Sequence, residues 1–240
     1  GRVWLTAGAE NVYPSRRIFV EILEGRDAPG GLEILEGQAV GDLFKIRDYR
    51  IGRAQAPPAI DGNLDDPVWR QVEPATDFRL LGKVSSPREA TRAWAAWDEQ
   101  NLYIAYQCPE SEKEQFSLSA EKIWTRDAVD TAINPTGDRT VFQQIIIDAA
   151  GNVEQFTKGM NGRTVEWDIE HAVGRYEGGW TVELAVPWSE MGVEPVSGLT
   201  FTGNFVRYRP YPPVDEMHTW SPMPGPAIND PERFANFILE

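Results

Sequence analysis

The sequence predicts an all-β fold, an antiparallel β-sandwich of two packed sheets with at most short helices. Apolar or alternating segments of strand length recur along the chain, and turn residues separate them. β-Branched and aromatic residues dominate these segments, and prolines recur between positions 187 and 226, which disfavours long helices. The one short helix that the pattern allows is the segment WSEMG after Pro187.

A domain boundary is predicted at residues 54–62, AQAPPAIDG, where a pair of prolines coincides with a change in charge. Residues 1–53 carry equal numbers of basic and acidic residues, so the formal net charge of -14 arises after Arg53. We interpret residues 1–53 as a β-rich N-terminal extension, or as the tail of a preceding domain. Residues 54–240 form the main domain.

Three hairpins are predicted within the main domain. The segments ATRAWAAW and NLYIAYQC flank a polar turn at residues 98–101. The segments VFQQIIID and NVEQFTKG flank residues 149–151, and HAVGRYE and WTVELAVPW flank Gly178 and Gly179. Glycine suits such turns because it adopts positive φ angles readily. The segments FTGNFVRYR and RFANFILE supply later strands.

Composition and charge exclude several classes of function. A net charge of -14 disfavours nucleic acid and anionic membranes as partners, because both attract basic surfaces. No segment approaches the roughly 20 apolar residues that membrane insertion requires. The single cysteine, Cys108, excludes an internal disulfide and a multi-cysteine metal site. Nine tryptophans and two histidines favour stacking on neutral rings over histidine-based acid-base or metal chemistry.

Six motifs follow one another along the main domain. They are AIDGNLDDPVWRQ (59–71), AWDEQNLYIAYQC (96–108), WTRDAVDTAINP (124–135), FQQIIIDAAGNV (142–153), GWTVELAVPWSEMG (179–192), and a closing TWSPM with PERFANFILE. In this order they resemble the motifs of family 9 carbohydrate-binding modules. The resemblance covers about residues 57–240 and implies two antiparallel sheets packed face to face. It also implies non-catalytic binding of oligo- or polysaccharides, with glucose- or xylose-based sugars favoured.

The resemblance carries further expectations about the protein's setting. Such modules are secreted, periplasmic or cell-surface domains, often appended to a glycoside hydrolase or another glycan-directed chain. We therefore expect no catalytic residues and no required cofactor. A structural calcium ion, which some members of the family contain, stays open. Other domains of a longer chain are expected partners.

The resemblance also implies a set of sugar-contacting residues. Trp124 and Trp220 match two aromatic positions that sandwich a sugar ring, and Trp124 lies between polar segments that favour its exposure. Asp130 matches a glutamate that contacts sugar hydroxyls, and a solvated strand face is the alternative. Gln144 stands where an arginine is usual, and Met217 stands where an asparagine is usual.

Two further polar candidates, Arg207 and Asn204, lie on the segment FTGNFVRYR. A surface ion pair or a turn contact is the alternative for each. We expect the other assigned tryptophans to be core residues, because a buried indole supplies a large apolar area. These are Trp69, Trp97, Trp180 and Trp188.

Three alternatives stay open. A haem-binding DOMON-like domain would need ligands such as Met160, Met217, His171 or His218. A glycoside hydrolase would need two facing carboxylates, for which no acid-base motif is present. The departures at Gln144 and Met217 make a structural domain that has lost sugar binding realistic.

Acidic side chains cluster at the start of the main domain. They could supply oxygen ligands to calcium, but their spacing does not match an EF-hand loop. We interpret them as an Asx-type turn, and a structural cation elsewhere in the acidic region stays open. The residues are Asp61, Asn63, Asp65 and Asp66.

Overall fold

The computed structural model describes residues 44–83, 85–111, 121–211 and 214–240. Within them the chain forms twelve strands, two four-residue α-helices and two short 3-10 helices. The strands are β1 Asp48–Arg53, β2 Arg79–Leu80, β3 Arg92–Trp97, β4 Asn101–Pro109, β5 Ala128–Asn134, β6 Phe142–Asp148, β7 Val153–Lys158, β8 Glu170–Tyr176, β9 Gly179–Pro187, β10 Thr200–Tyr211, β11 Val214–Thr219 and β12 Ala235–Leu239. The helices are α1 Val68–Gln71 and α2 Trp188–Met191, and the 3-10 helices are Ile123–Thr125 and Pro231–Arg233.

The strands form one continuous, curled, mixed sheet in the order β7-β6-β5-β10-β12-β1-β3-β4-β9-β8, and β11 joins β10 to β2. β1 pairs in parallel with β12 through Asp48–Ile51 and with β3 through Gly52 and Arg53. All other pairings between described strands are antiparallel. The predicted all-β fold with short helices is confirmed. The prediction of purely antiparallel pairing is wrong at β1, since this strand runs in the same direction as both of its neighbours.

The three predicted hairpins are present, and local hydrogen bonds explain their turns. Asp98 Oδ1 accepts from the amides of Gln100 and Asn101 at 2.7 and 2.8 Å, which ends β3 and starts β4. Asp148 Oδ1 closes the β6–β7 turn in the same way. An aspartate in such a turn satisfies amides that the strand ladder leaves without partners.

The principal core takes side chains from both halves of the sheet. It includes Ile104 and Trp180 from β4 and β9, and Ile145, Phe205 and Phe237 from β6, β10 and β12. A second cluster lies on the other side of β3, β4 and β9, against α1. The four tryptophans expected in the core are all buried, which confirms that prediction. They are Trp69, Trp97, Trp180 and Trp188.

The acidic segment before α1 forms a turn held by Glu183 of β9. Asp61 Oδ1 accepts from the Asn63 amide at 2.8 Å, which is an Asx-turn contact. The buried Glu183 carboxylate accepts from the amides of Asp61 and Gly62 and from Trp69 Nε1. Gly62 has a φ of +87°, and a Cβ there would lie 2.5 Å from a backbone nitrogen of β8, so glycine is required.

The rest of this acidic segment also makes backbone contacts. Asp66 Oδ2 accepts from the amide of Ala59, and the carbonyl of Asp65 accepts from Arg70. These contacts support the turn interpretation. Across the described ranges, no three His, Cys, Asp or Glu residues are arranged to hold a metal ion.

Most of the predicted N-terminal extension, residues 1–43, lies outside the described residues. Its last six residues form β1, which lies in the interior of the sheet path and not at an edge. Its division from the main domain at residue 54 stays a prediction. No helix among the described residues has the length and apolar character that crossing a bilayer demands.

Candidate functional site

Strands β5, β6 and β10 present two faces, and the principal core occupies one of them. Val129, Ile145 and Phe205 belong to the principal core. Because neighbouring side chains on a strand point to opposite faces, the residues directly before and after each of these three point away from this core. We call this second side the outer face. A separate apolar cluster that includes Ile146 and Val206 lies on it.

Asp130, Gln144 and Tyr208 meet on the outer face. Asp130 pairs with Ile146 on β6 and with Val206 on β10, so its side chain shares their face. Asp130 Oδ2 accepts a hydrogen bond of 2.6 Å from Gln144 Nε2 and one of 2.7 Å from the Tyr208 hydroxyl. We call these three residues the outer-face polar group.

The carboxyl group of Asp130 is buried but not fully hydrogen-bonded. The residue is 1% exposed, and its Oδ1 has no hydrogen-bond partner. Burial raises the pKa of Asp130 to about 6, although the hydrogen bonds from Gln144 and Tyr208 and the charge of Lys158 act to lower it. A buried acceptor without a partner costs free energy, so Oδ1 is a position that a ligand hydroxyl could satisfy.

Trp124 lies at the margin of the outer face, in the 3-10 helix before β5. It is 39% exposed, as predicted. Its ring packs edge-on against Phe156 of β7, with centroids 5.8 Å apart and an interplanar angle of 68°. Phe156 is paired with Gln144 and therefore shares its face. An aromatic pair, of which Trp124 is exposed and Phe156 is half-buried, thus adjoins the outer-face polar group.

Trp220 occupies a different place. It is 6% exposed and belongs to the principal core, where its ring lies 5.4 Å from Tyr49 and 6.1 Å from Phe205. The cause is the β10–β11 register. Thr219 pairs with Val206, so the next residue lies opposite Phe205 and faces the principal core, and its amide donates to the Phe205 carbonyl.

The two tryptophans thus lie on opposite sides of one sheet, and the clamp of a sugar ring between them stays a prediction. Trp124 borders the outer face, whereas Trp220 lies on the core side of the same sheet. The guanidinium of Arg47 lies 5.3 Å from the centroid of the Trp220 ring and contributes to its cover.

Arg207 and Asn204 are both engaged within the protein. Arg207 is fully buried and donates to the carbonyl of Pro109 and to Glu110 Oε2. Its side chain lies on the core side of β10, where it forms an internal ion pair with Glu110. Asn204 lies on the outer face but is also fully buried, and it bonds to Thr219 and Ser221.

A buried ionic cluster lies at the core side of β10 and β11, and it was missed from the sequence. Glu110 accepts from Arg207 at 3.0 Å and from Arg209 at 2.8 and 2.9 Å. Glu216 lies 3.4 Å from Arg209 and 3.2 Å from His218. Burial lowers the pKa of His218 to about 4.

The residues considered for haem ligation have other neighbours. One ring nitrogen of His218 contacts Thr91 and the other contacts Glu216. Met217 belongs to the apolar cluster on the outer face, so its side chain and that of His218 point to opposite sides of β11. His171 contacts the carbonyl of Gly151.

Tyr208 is the residue of the polar group that the sequence analysis did not select. The alternation of side chains along β10 could have indicated Tyr208 from the sequence. On one strand, positions 204, 206 and 208 share a face and position 207 lies on the other. Arg207 and Asn204 therefore could not both contact one ligand on this sheet, whereas Tyr208 and Asn204 could.

Comparisons with known proteins agree with this architecture. A family model described as "Carbohydrate family 9 binding domain-like" matches residues 60–240. A family 9 carbohydrate-binding module from Caldicellulosiruptor kristjanssonii, solved with cellotriose, shares 15% identity and a TM-score of 0.65 over 80% of this chain and 94% of that one. The structure of such a module from the same organism with glucose has a TM-score of 0.61, 15% identity and coverages of 80% and 96%.

A third solved structure has a similar fold. It is a candidate carbohydrate-binding protein from Bacteroides uniformis ATCC 8492, with 14% identity, a TM-score of 0.66, and coverage of 82% of this chain and 100% of that one. The search of curated proteins found no match. Because the family match extends over well more than half of the chain, this protein belongs to the carbohydrate family 9 binding domain-like family.

Proposed function

We propose that this domain binds oligo- or polysaccharide without catalysis, through the outer face of β5, β6 and β10. Membership of a carbohydrate-binding family supports this function. The observation that carries the choice of site is the buried Asp130 Oδ1, which has no hydrogen-bond partner and adjoins the exposed Trp124. The cellotriose and glucose in modules of similar fold favour glucose-based ligands, and xylose-based sugars have comparable hydroxyl patterns.

The chemistry of a pyranose fits these groups. Its face of C–H groups packs on an indole such as Trp124. A hydroxyl donates to Asp130 Oδ1, since an ionised carboxylate accepts through both oxygens. Asp130 is buried, so a ligand must displace part of its cover. Ile123 and Ile228, which lie in the apolar cluster on this face, belong to segments between strands and are the side chains to move.

In this proposal the predicted clamp of two tryptophans is replaced by the pair of Trp124 and Phe156. Trp220 has a core role. Gln144 orients Asp130 where an arginine is usual in the family, so the site has one cationic group fewer. We infer further that the two halves of the sheet pack face to face as a sandwich, because the principal core takes side chains from both.

The setting of the domain is also a proposal. We propose an exported location, secreted, periplasmic or cell-surface, in which the domain targets a glycan-active or cell-surface chain to its polysaccharide. No cofactor is required for a site built from a carboxylate, an amide and aromatic rings. A structural calcium ion remains a prediction, to be tested by unfolding with and without a chelator.

Titration calorimetry against cello- and xylo-oligosaccharides tests the function. We expect Trp124→Ala to weaken the best ligand about tenfold or more, because stacking contributes about 1 kcal/mol beyond the buried area. Trp94→Ala is the matched control, since Trp94 is half-buried in the cluster on the far half of the sheet, and its affinity should equal that of the parent. Unchanged affinity in Trp124→Ala, with circular dichroism showing an intact fold, would refute the site.

A family fold that no longer binds sugar is the second candidate. The burial of Asp130 and of Trp220 favours this candidate. The glutamine at position 144, where an arginine is usual in the family, also favours it. The same titrations distinguish the two candidate functions, because a domain that has lost sugar binding should bind no oligosaccharide of the panel measurably.

The pH dependence of binding follows from Asp130. With its pKa near 6, the carboxyl is mostly protonated at pH 5 and ionised at pH 7.5. Affinity for a hydroxyl donor should therefore rise between these values, and Asp130→Asn should remove the rise. Titrations at both pH values measure it, and a parent affinity independent of pH would contradict the role of Asp130.

Ionisation of Asp130 affects folding and binding in opposite directions: a rise in pH is expected to strengthen binding but to lower the contribution of Asp130 to stability. Its pKa is raised above the unfolded value of 3.8, so the folded protein binds the proton more tightly than the unfolded chain. The stabilisation from Asp130 is therefore present below pH 3.8 and is lost as the pH rises through about 6.

A further inference from the structure

Four side chains form a continuous strip at the margin of the outer face. The Lys122 ammonium lies 5.6 Å from the centroid of the Trp124 ring, and the Lys158 ammonium lies 4.9 Å from that of Phe156. The two rings are themselves 5.8 Å apart. We call this arrangement the aromatic–lysine strip. It places a positive charge over each of two adjoining aromatic rings.

Among the described residues, neither ammonium of the strip forms an ion pair with an acidic side chain. No carboxylate oxygen of the described residues lies within 4.0 Å of Lys122 or Lys158. The neighbouring Arg126, in contrast, is paired with Asp148 at 2.9 Å. In a chain with a net charge of -14, two cations that have no carboxylate partner among the described residues form a local positive region beside the aromatic pair.

The acidic residues nearest in sequence do not cancel this region. Glu121 precedes Lys122 and is exposed, and Glu154 lies two residues before Phe156 on the same face of β7. Neither forms an ion pair with the strip. Lys158 acts on the outer-face polar group instead, since its charge lowers the pKa of Asp130. The strip and the polar group are therefore electrostatically connected.

We propose that the ligand is an anionic glycan, in which a uronate carboxylate or a sulfate ester on the sugar contacts Lys122 and Lys158. The inference rests on the proposed function and names its ligand class. The sugar ring packs on Trp124, a ring hydroxyl donates to Asp130, and the anionic substituent points outward to the ammonium groups.

The test compares neutral and anionic oligosaccharides by titration calorimetry. The probes are xylotetraose, xylotetraose bearing one glucuronate, trigalacturonate, and a sulfated galactan oligosaccharide. At low salt we expect the preferred anionic probe to bind about fivefold to tenfold more tightly than the neutral one, as two exposed charge contacts allow. This preference for the anionic probe should decrease in about 0.5 M salt, because charges more than a few ångströms apart are then screened from each other.

Variants assign the preference to the strip. The double variant K122Q/K158Q should lose the preference for the anionic probe over the neutral one. K45Q is the matched control, because Lys45 is exposed on the segment before β1, far along the sheet from β7, and it should retain the preference. The uronate and sulfate arms show which anionic group is recognised.

The outcomes separate this inference from the proposed function. Equal binding of neutral and anionic probes at low salt, with loss of both in Trp124→Ala, would overturn the anionic ligand and leave sugar binding intact. A preference that survives in K122Q/K158Q would overturn the role of the strip. Failure of every probe to bind would overturn both proposals.

Discussion

Replacement of Glu110 by alanine is expected to lower the free energy of unfolding by about 3–5 kcal/mol, the cost of breaking a buried ion pair from one side. Glu110 is 1% exposed and accepts hydrogen bonds from both Arg207 and Arg209. Without its carboxylate, two fully buried guanidinium groups lose their principal counter-charge. Water cannot replace it, because the side chains of both arginines are closed to solvent.

Urea unfolding followed by tryptophan fluorescence measures this effect. Glu240→Ala is the matched control, since its pair with Arg50 is exposed at both partners and should contribute less than about 1 kcal/mol. If Glu110→Ala does not fold, Glu110→Gln provides the measurement, because it retains the volume and part of the hydrogen bonding. Loss of less than about 1 kcal/mol in the alanine variant would show that the cluster is not a structural determinant.

Replacement of Trp220 by alanine should destabilise the fold by about 3–5 kcal/mol, as is usual for a buried tryptophan. Its ring contacts Tyr49 and Phe205 in the principal core, and its loss would leave a cavity between β1 and β10. Trp124→Ala should cost about 1 kcal/mol or less, because that ring is 39% exposed.

Thermal and urea unfolding of the two variants, measured side by side, make the comparison. The structure predicts that Trp124→Ala affects binding and Trp220→Ala affects stability. A stable Trp220→Ala variant that loses sugar affinity would instead place Trp220 in the binding site and restore the sandwich of a sugar between two tryptophans.

The strands were predictable because their determinants are local. Alternation in the segments around Asp98 and Asp148, and the glycines at 178 and 179, fix three hairpins through contacts within a few residues. The parallel pairing of β1 was not predictable in this way. It depends on β12, about 190 residues later in the chain, and no local pattern encodes that partner.

The site was predictable only in part, for a related reason. Trp124, Asp130 and Gln144 were selected as candidates by resemblance, and the sheet does bring Asp130 and Gln144 into contact. Resemblance could not show that Arg207 faces Glu110, 97 residues earlier, or that Trp220 faces the principal core. The face on which a side chain lies depends on strand register, and register here is set by pairings between distant segments.

The position of β1 between β12 and β3 has a consequence for biogenesis. The sheet path cannot be joined until residues 235–239, which form the last of the described strands, are available to pair with residues 48–51. During synthesis the two halves of the sheet therefore remain intermediates with unpaired edge strands. Pairing between segments so far apart in sequence is slow. We expect limited proteolysis of C-terminally truncated chains to detect this state, and a chaperone that shields strand edges to raise the yield of folded protein.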